Sequence, residues 1–244
     1  MQKKKTGGLF DTLKTVFWAI VIALLVRTFA FEPFNIPSGS MIPTLLVGDY
    51  LFVSKFSYGY SKHSMPFSLP VIPGRVFETE PERGDVVVFK LPSDTTQDYI
   101  KRVIGLPGDT VQVTDGRLYI NNKLVERERI EDYILTDGTG RSAAVPQYLE
   151  TLPNGKVHRI LELFGDQGPS DNTEAFTVPE GHYFMMGDNR DNSADSRAFP
   201  SRFRFVPIEN LVGRAEFLFY SKDSSQPVYD LGSIRFDRLF QGVN

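Results

Sequence analysis

Apolar and polar positions divide the chain into one long apolar segment near the N-terminus and a series of short alternating segments after it. The uncharged centre of the first segment, Thr15–Val26, lies between Lys14 and Arg27 and is too short to cross a bilayer. A helix over Leu9–Phe31 is long enough if Lys14 and Arg27 lie near its ends and extend toward the headgroups. The pattern therefore predicts a transmembrane helix.

The apolar segment can be interpreted as a cleaved secretory signal or as a retained anchor. Three lysines, Lys3–Lys5, precede it. The nearest small-x-small cleavage site is Thr28-Phe29-Ala30, and the bulky Phe31-Glu32-Pro33 after it favours a continuing chain. We therefore expect a retained anchor. By the positive-inside rule, the lysines lie in the cytoplasm and residues from about Glu32 onward lie across the membrane.

The rest of the chain predicts a mainly β fold, because helical periodicity is scarce after the first segment. Short runs rich in β-branched and aromatic residues are bounded by Gly, Pro or Asp, as is typical of strands. The predicted strands cover Tyr50–Val53, Asp85–Phe89, Tyr99–Ile104, Thr110–Val113, Leu118–Ile120, His182–Met186 and Arg214–Tyr220. Asp115-Gly116 and Asn121-Asn122 are typical of hairpin turns.

Two segments interrupt this pattern. Tyr58–Arg83 is rich in proline and weakly periodic, which predicts an exposed loop or ribbon. Asp132–Thr177 is polar and irregular, so we interpret it as part of a smaller subdomain inserted between two halves of a β core. The predicted organisation is a lysine-rich start and anchor at 1–31, a first β half at 32–109, an inserted subdomain at 110–180 and a second β half at 181–244.

Composition narrows the functional classes. With 41% hydrophobic and 23% charged residues, the chain can bury a core. A net charge of -3 argues against nucleic acid as a partner, because phosphate backbones attract strongly basic proteins. The absence of cysteine excludes disulfides, zinc-thiolate sites and a cysteine nucleophile.

The first candidate for chemistry is the turn Pro37–Leu45, in which two prolines and a glycine surround Ser38 and Ser40. A rigid, non-helical turn can present a hydroxyl, and its backbone N–H groups can face a developing oxyanion. The alternative is a serine-rich capping turn that opens a short helix at Met41. The turn alone leaves both interpretations open.

The second candidate is Lys101, which lies in a predicted strand among apolar residues, before a Gly-Leu-Pro-Gly-Asp turn. Burial disfavours the ammonium and lowers the lysine pKa from about 10.4 toward neutrality, so that the neutral amine can act as a general base. The alternative is a strand lysine that faces water or pairs with an acid, which is the usual state of lysines.

The third candidate is the acidic and arginine-rich loop Gly187–Arg197, which follows a predicted strand. Its aspartates could indicate a calcium loop, but no frame gives the EF-hand alternation with glycine at position six. We expect no metal here. A loop whose arginines pair with its own carboxylates fits better, and Ser193 or Ser196 could orient a nearby amine.

Together and in this order, the anchor and the three stretches resemble bacterial type I signal peptidase, the Ser/Lys endopeptidase that removes signal peptides. The matching stretches are Pro37–Leu45, Asp49–Val53, Arg83–Phe89, Tyr99–Asp109, Gly187–Arg197 and Leu211–Ala215. The segments Tyr58–Glu82 and Asp115–Thr177 match little of the family. Some relatives carry two anchors, whereas this chain predicts one.

The resemblance implies a role for each matching residue. Ser40 is the nucleophile, Lys101 the general base, and Ser38 an oxyanion-hole donor beside the Ser40 N–H. Ser193 holds Lys101 in place. The supporting ion pairs are formed by Asp188, Arg102, Asp195 and Arg197. The candidates for shallow apolar pockets that select small residues, typically Ala, are Phe34, Ile36, Met41, Leu45, Tyr99 and Ile100.

The resemblance also implies a fold, a location and partners. It implies a β-rich catalytic domain with an inserted cap, in a single-pass protein of the bacterial inner (cell) membrane whose catalytic domain lies on the periplasmic or outer side. The expected partners are signal-peptide-bearing precursors and the lipid bilayer, with no nucleic acid, cofactor or metal. The chain from Phe31 to Ser40 spans at most roughly 30 Å, so the serine would work near the membrane.

The positions of the histidines agree with a Ser/Lys peptidase. His63, His158 and His182 are the only histidines, and none lies in the three stretches, so a histidine triad has no obvious base.

Two alternatives stay open. A self-cleaving Ser/Lys peptidase of the repressor type shares the catalytic core but would carry a DNA-binding module, and a non-catalytic membrane-tethered β module could scaffold export partners.

Overall fold

A computed structural model describes residues 8–65, 68, 72–136, 140–223, 226 and 229–243. The cytoplasmic placement predicted for Lys3–Lys5 falls outside these described residues. The structure consists of one long N-terminal helix and a body built mainly of β strands. The predicted mainly β fold with a single apolar helix is confirmed.

Helix α1 spans Leu9–Phe29, and its 21 residues make it long and apolar enough to cross a membrane. Its apolar side chains are exposed rather than packed on the body, which fits a membrane anchor. The helix ends two residues before the predicted Phe31. Pro33 lies in the strand that follows, where its lack of an N–H group is tolerated.

The described strands follow in chain order. They are β1 (Phe31–Asn35), β2 (Asp49–Ser54), β3 (Tyr60–Ser61), β4 (Arg75–Val76), β5 (Val86–Leu91), β6 (Asp94–Gly105), β7 (Thr110–Thr114), β8 (Arg117–Ile120), β9 (Lys123–Leu124), β10 (Glu126–Arg129), β11 (Tyr133–Thr136), β12 (Ser142–Val145), β13 (Gln147–Thr151), β14 (Val157–Leu161), β15 (Phe176–Thr177), β16 (His182–Met186), β17 (Val206–Pro207) and β18 (Leu211–Ser221). Short 3-10 turns lie at Lys62–Ser64, Gly165–Gln167, Arg190–Asn192, Ser201–Phe203, Ile208–Asn210, Leu231–Ser233 and Phe236–Arg238.

The largest sheet of the described residues has seven strands in the order β1-β2-β18-β5-β6-β16-β17, all paired antiparallel. Every strand predicted in the first and last parts of the chain lies in it. Val86, Val88 and Leu51 are buried on one side of the sheet, and Val87, Phe89 and Val103 are buried in a second cluster. The central strands β5 and β6 therefore give a rigid support to the residues they carry.

The segment between β6 and β16 forms separate, smaller sheets. Their orders are β15-β7-β8-β9, β10-β13-β14 and β11-β12. The turn Asn121-Asn122 has positive φ values of 54° and 62°, as a tight hairpin turn requires. Asp132–Thr177, expected to be irregular, contains β11 to β14, whose many polar and exposed positions concealed the strand pattern.

No strand of β7 to β15 joins the seven-stranded sheet within the described residues. This segment nevertheless shares a hydrophobic core with that sheet, because Val111 and Leu118 pack in one cluster with Ile104 and Phe184. The boundaries of the inserted subdomain stay a prediction.

The segment Tyr58–Arg83, expected to be exposed, is partly buried. Its residues 66–67 and 69–71 lie outside the described part. Tyr58, His63 and Ser64 are buried. The Arg75 guanidinium donates hydrogen bonds to backbone carbonyls of the residues leading into β18, which ties the segment to the main sheet.

Candidate active site

A groove of about 500 Å³ lies between the serine turn and the middle of β6. The turn follows β1 directly, and the Ile36 N–H donates to the Asp49 carbonyl, which holds its start against β2. The predicted site residues that line the groove are Phe34, Ile36, Ser38, Ser40, Tyr99, Ile100 and Lys101. Two separate stretches of sequence thus meet at one surface.

Lys101 and Ser40 are in direct contact at this groove. Lys101 pairs with Val87 across β5 and β6, and its Nζ donates a hydrogen bond of 2.7 Å to Ser40 Oγ and one of 2.9 Å to the Ile100 carbonyl. Lys101 is 3% exposed and Ser40 is 8% exposed. Burial lowers the pKa of Lys101 to about 8, against the smaller opposing effects of Asp195 and Asp188.

Ser38 lies on the open side of the same turn. Its Oγ is 3.5 Å from Ser40 Oγ, and the residue is exposed. The hydroxyl is therefore free to turn toward a molecule in the groove. The contacts described for Ser40 Oγ are Lys101 Nζ and Ser38 Oγ, and no histidine is among them.

A buried ion pair fixes the loop Gly187–Arg197 against β6. Arg102, the neighbour of Lys101, donates from Nε to Asp188 Oδ1 at 2.9 Å and from Nη2 to Asp188 Oδ2 at 2.7 Å. The Thr44 hydroxyl donates to the same carboxylate. Burial alone would raise the pKa of Asp188, but Arg102, His158 and the Thr44 hydroxyl together outweigh it and the pKa is lowered. A two-bond pair of this kind sets orientation as well as distance.

A second buried pair organises the loop internally. Arg197 Nη2 lies 2.9 Å from Asp195 Oδ2, and the same carboxylate accepts the Gly187 N–H at 3.0 Å. Arg197 also donates to the Arg190 carbonyl at 2.6 Å. The four residues expected to form supporting ion pairs thus pair as Asp188 with Arg102 and Asp195 with Arg197.

Asn189 and Gly187 connect this loop to the serine turn, and the sequence did not indicate either. The Asn189 N–H donates to the Ser40 carbonyl at 3.1 Å, and its Nδ2 donates to the Gly39 carbonyl at 2.9 Å. A Cβ at Gly187 would lie 2.5 Å from the Ser40 carbonyl oxygen, so no larger residue fits here. These contacts are made to backbone carbonyls of the serine turn, for which a sequence carries no pattern.

Three predicted site residues lie elsewhere than expected. Met41 and Leu45 are fully buried in the core beneath the turn and do not line the groove. They point inward because the turn packs its apolar side chains on β2 and β5. Ser193 Oγ is buried beside Gly187 and makes no hydrogen bond to Lys101 among the described contacts.

The smaller sheets contribute a buried charge network that the sequence did not reveal. Arg190 makes a two-bond ion pair with Glu150 on β13, and His158 Nε2 on β14 lies 3.4 Å from Glu150 and 3.9 Å from Asp188. Burial lowers the pKa of His158 to about 4, so the imidazole is neutral at neutral pH. The segment 110–180 thus packs directly on the loop that supports the groove.

Among the described residues, the acidic side chains close enough to share a metal ion are Glu162, Asp171 and Asp191, and none of them lines the groove. The groove itself offers one hydroxyl hydrogen-bonded to one buried amine. A serine placed in this way behind an apolar anchor defines the class of membrane-anchored serine hydrolases.

Comparisons with known proteins narrow this class. Residues 9–220 match the family described as signal peptidase, peptidase S26. The chain is 42% identical to the signal peptidase I of Rickettsia typhi, over 93% of this chain and 90% of the relative, and 41% identical to that of Rickettsia canadensis, over 94% and 92%. A signal peptidase I structure from Enterococcus faecalis is 29% identical, with a TM-score of 0.32, covering 56% of this chain and 97% of the other.

The chain belongs to the signal peptidase family, peptidase family S26. The resemblance seen in its sequence is confirmed. It is a serine peptidase, a hydrolase, of the family that cleaves signal peptides.

Proposed function

We propose that this chain removes signal peptides from exported precursor proteins with a dyad in which Ser40 is the nucleophile and Lys101 the general base. One observation carries the proposal: a buried lysine amine lies 2.7 Å from a serine hydroxyl in an open groove. Nucleophile and base within hydrogen-bond reach are the signature of covalent catalysis by a serine.

The chemistry proceeds in two halves. Neutral Lys101 takes the proton of Ser40 Oγ as the oxygen attacks the scissile carbonyl, and the Ser40 N–H and the Ser38 hydroxyl donate to the oxyanion. The Lys101 ammonium then gives its proton to the leaving amine, which departs and leaves an ester on Ser40. Lys101, neutral again, activates a water that hydrolyses the ester. These steps use no metal or cofactor.

The loop Gly187–Arg197 positions this pair. Asp188 and Arg102 anchor the loop to the strand that carries Lys101, and Asn189 holds the backbone of Ser40. The ion pair between Asp195 and Arg197 stabilises the conformation of this loop. Ser193 contributes by filling the space beside Gly187 and not by a hydrogen bond to the amine.

The reaction takes place at a membrane surface. The exposed apolar helix ends at Phe29, and β1 leads from there to the serine turn. We place the protein in the bacterial inner membrane as a single-pass protein, with the lysine-rich start in the cytoplasm and the catalytic domain outside, since positive residues stay inside. The segment 110–180 would form a cap on the catalytic β domain.

The resemblance to signal peptidase implies the substrate selection, and the residues that line the groove are consistent with it. Phe34, Ile36, Tyr99 and Ile100 give it shallow apolar walls next to the Ser40 hydroxyl. An extended substrate points its first and third residues before the cut to one side and its second residue to the other. We therefore propose specificity for small residues of the Ala-x-Ala type.

In the substrate, replacing the Ala immediately before the cut with Leu should lower kcat/KM about a hundredfold. The larger Leu side chain does not fit against the apolar residues that line the groove. The measurement compares precursor peptides with the full-length enzyme in detergent. Leu at the second position before the cut serves as the control and should have little effect. Equal losses at both positions would exclude this pocket assignment.

The pH dependence of kcat/KM should show an acid limb near pH 8. The base must be neutral, so activity rises as the pH increases through the Lys101 pKa of about 8 and then levels off. The profile is measured on an Ala-x-Ala precursor, with thermal stability followed over the same range as the control. An acid limb centred near the ordinary lysine pKa would contradict the proposal that burial activates Lys101.

A further inference from the structure

A group of three carboxylates lies behind the loop Gly187–Arg197, outside the active-site groove. Glu162 follows β14, Asp171 lies in the connection to β15, and Asp191 comes from the loop itself. Each offers a carboxylate oxygen, and these oxygens all lie within 4.8 Å of one another. Glu162 and Asp171 are each 1% exposed, and Asp191 is half-buried. Three carboxyl groups rarely lie this close together in a protein interior without a partner that compensates their charge.

The neighbouring cations compensate this group only in part. Arg127 donates to Glu162 Oε1 at 3.1 Å, but its other terminal nitrogen pairs with Asp166. Arg190 is held in the buried pair described above. Glu162 Oε2 and Asp191 Oδ1 are buried and have no hydrogen-bond partner among the described residues. Buried carboxylate oxygens in proteins almost always have one, so these two oxygens are available to a bound cation.

The backbone leaves room for these side chains. The Gly168 N–H donates to Asp171 Oδ2 at 2.5 Å. A Cβ added at Gly168 would lie 1.9 Å from Asp191 Oδ1 and 3.0 Å from Asp171 Oδ2. Its φ of −70° is open to any residue, so glycine is needed here for the carboxylates and not for the backbone conformation.

We propose that Glu162, Asp171 and Asp191 bind a calcium ion. Calcium takes carboxylate oxygens at about 2.4 Å, so two of its ligands can lie up to about 4.8 Å apart, and the three carboxylate oxygens lie within that limit. Asp191 also borders an open groove with Ser170 and Asn172, through which water can reach the ion and complete its shell.

The ion would join two parts of the fold. Glu162 and Asp171 belong to the segment between β14 and β15, whereas Asp191 lies three residues after Asp188, which anchors the loop to β6. Leu161, before Glu162, already donates its N–H to the Asp188 carbonyl at 2.9 Å. Calcium would therefore hold the inserted segment on the loop and stabilise the folded protein.

Thermal unfolding of the full-length protein in detergent at pH 8 tests this site without reference to activity. After treatment with EDTA, calcium at about a hundred times its Kd should raise Tm by roughly 5–10 °C, and magnesium should raise it less. Titration calorimetry with calcium chloride should give one site per chain. No change in Tm and no binding heat would overturn the proposal.

Two variants locate the site. Asp171→Asn removes one charge, and Gly168→Ala removes none but pushes a methyl group against Asp191, so each should lower calcium affinity at least about tenfold. The control is Glu180→Gln, an exposed change of the same charge, which should bind calcium as the wild type does. A calcium effect on Tm that persists unchanged in both variants would show general charge screening and refute the site.

Discussion

Replacing Lys101 with methionine is expected to lower kcat/KM about 10⁴-fold while the protein stays folded. Methionine has a similar length and fills the same apolar space, but it cannot take the proton of Ser40 Oγ, which Lys101 Nζ approaches to 2.7 Å. Stability should hold or increase, because a largely buried amine is removed. The measurement is cleavage of an Ala-x-Ala precursor together with Tm.

The double variant shows whether the two residues act as one unit. Ser40→Ala should lose at least as much activity as Lys101→Met, and combining the two should lose little more than either alone, because residues of one catalytic unit are not additive. The control is Lys123→Met, an exposed strand lysine on β9, which should cleave normally. Additive losses in the double variant would show that Lys101 and Ser40 contribute independently.

The sequence predicted the helix and five of the seven strands of the main sheet, β2, β5, β6, β16 and β18, because these are local patterns. The strand β6 around Lys101 and the strand β16 both have the apolar, β-branched or aromatic runs that predict strands. The four residues of the supporting ion pairs came from the family resemblance, and the structure gives their pairing. Helix α1 was extended too far, to Phe31, since its apolar pattern continues into β1.

What the sequence missed depends on distant contacts. Asn189 acts through the backbone of Ser40, and nothing in its neighbourhood distinguishes it from other loop asparagines. Glu150 and Arg190 are forty positions apart, and their pairing arises only when β13 packs against the loop. Met41 and Leu45 were assigned to the pocket by position, but the turn directs both into the core.

The packing around Asp188 makes this residue a critical point for stability. Its carboxylate is 1% exposed and compensates the buried Arg102 guanidinium in two hydrogen bonds. It also accepts from Thr44 and lies 3.9 Å from His158. One side chain therefore connects the serine turn, β6 and the smaller sheets.

Asp188→Asn should lower the free energy of unfolding by about 3–5 kcal/mol and Tm by roughly 10 °C, because the Arg102 charge loses the carboxylate that compensates it. Thermal unfolding in detergent measures this. The control is Asp132→Asn, which breaks an ion pair with Arg129 whose side chains are 43% and 39% exposed, and should cost less than about 1 kcal/mol. If both variants lost a similar free energy of unfolding, burial of the Asp188 ion pair would not be the cause of the loss.

The same substitution should move the catalytic pH profile. The Asp188 carboxylate raises the Lys101 pKa, against the larger lowering effect of burial. Without this charge the Lys101 pKa falls further, so the acid limb of kcat/KM should shift to lower pH in whatever fraction of Asp188→Asn stays folded. A purely structural role would reduce the amount of active enzyme and leave the limb where it is. An unmoved limb would therefore show that Asp188 supports the loop without acting on the charge of the lysine.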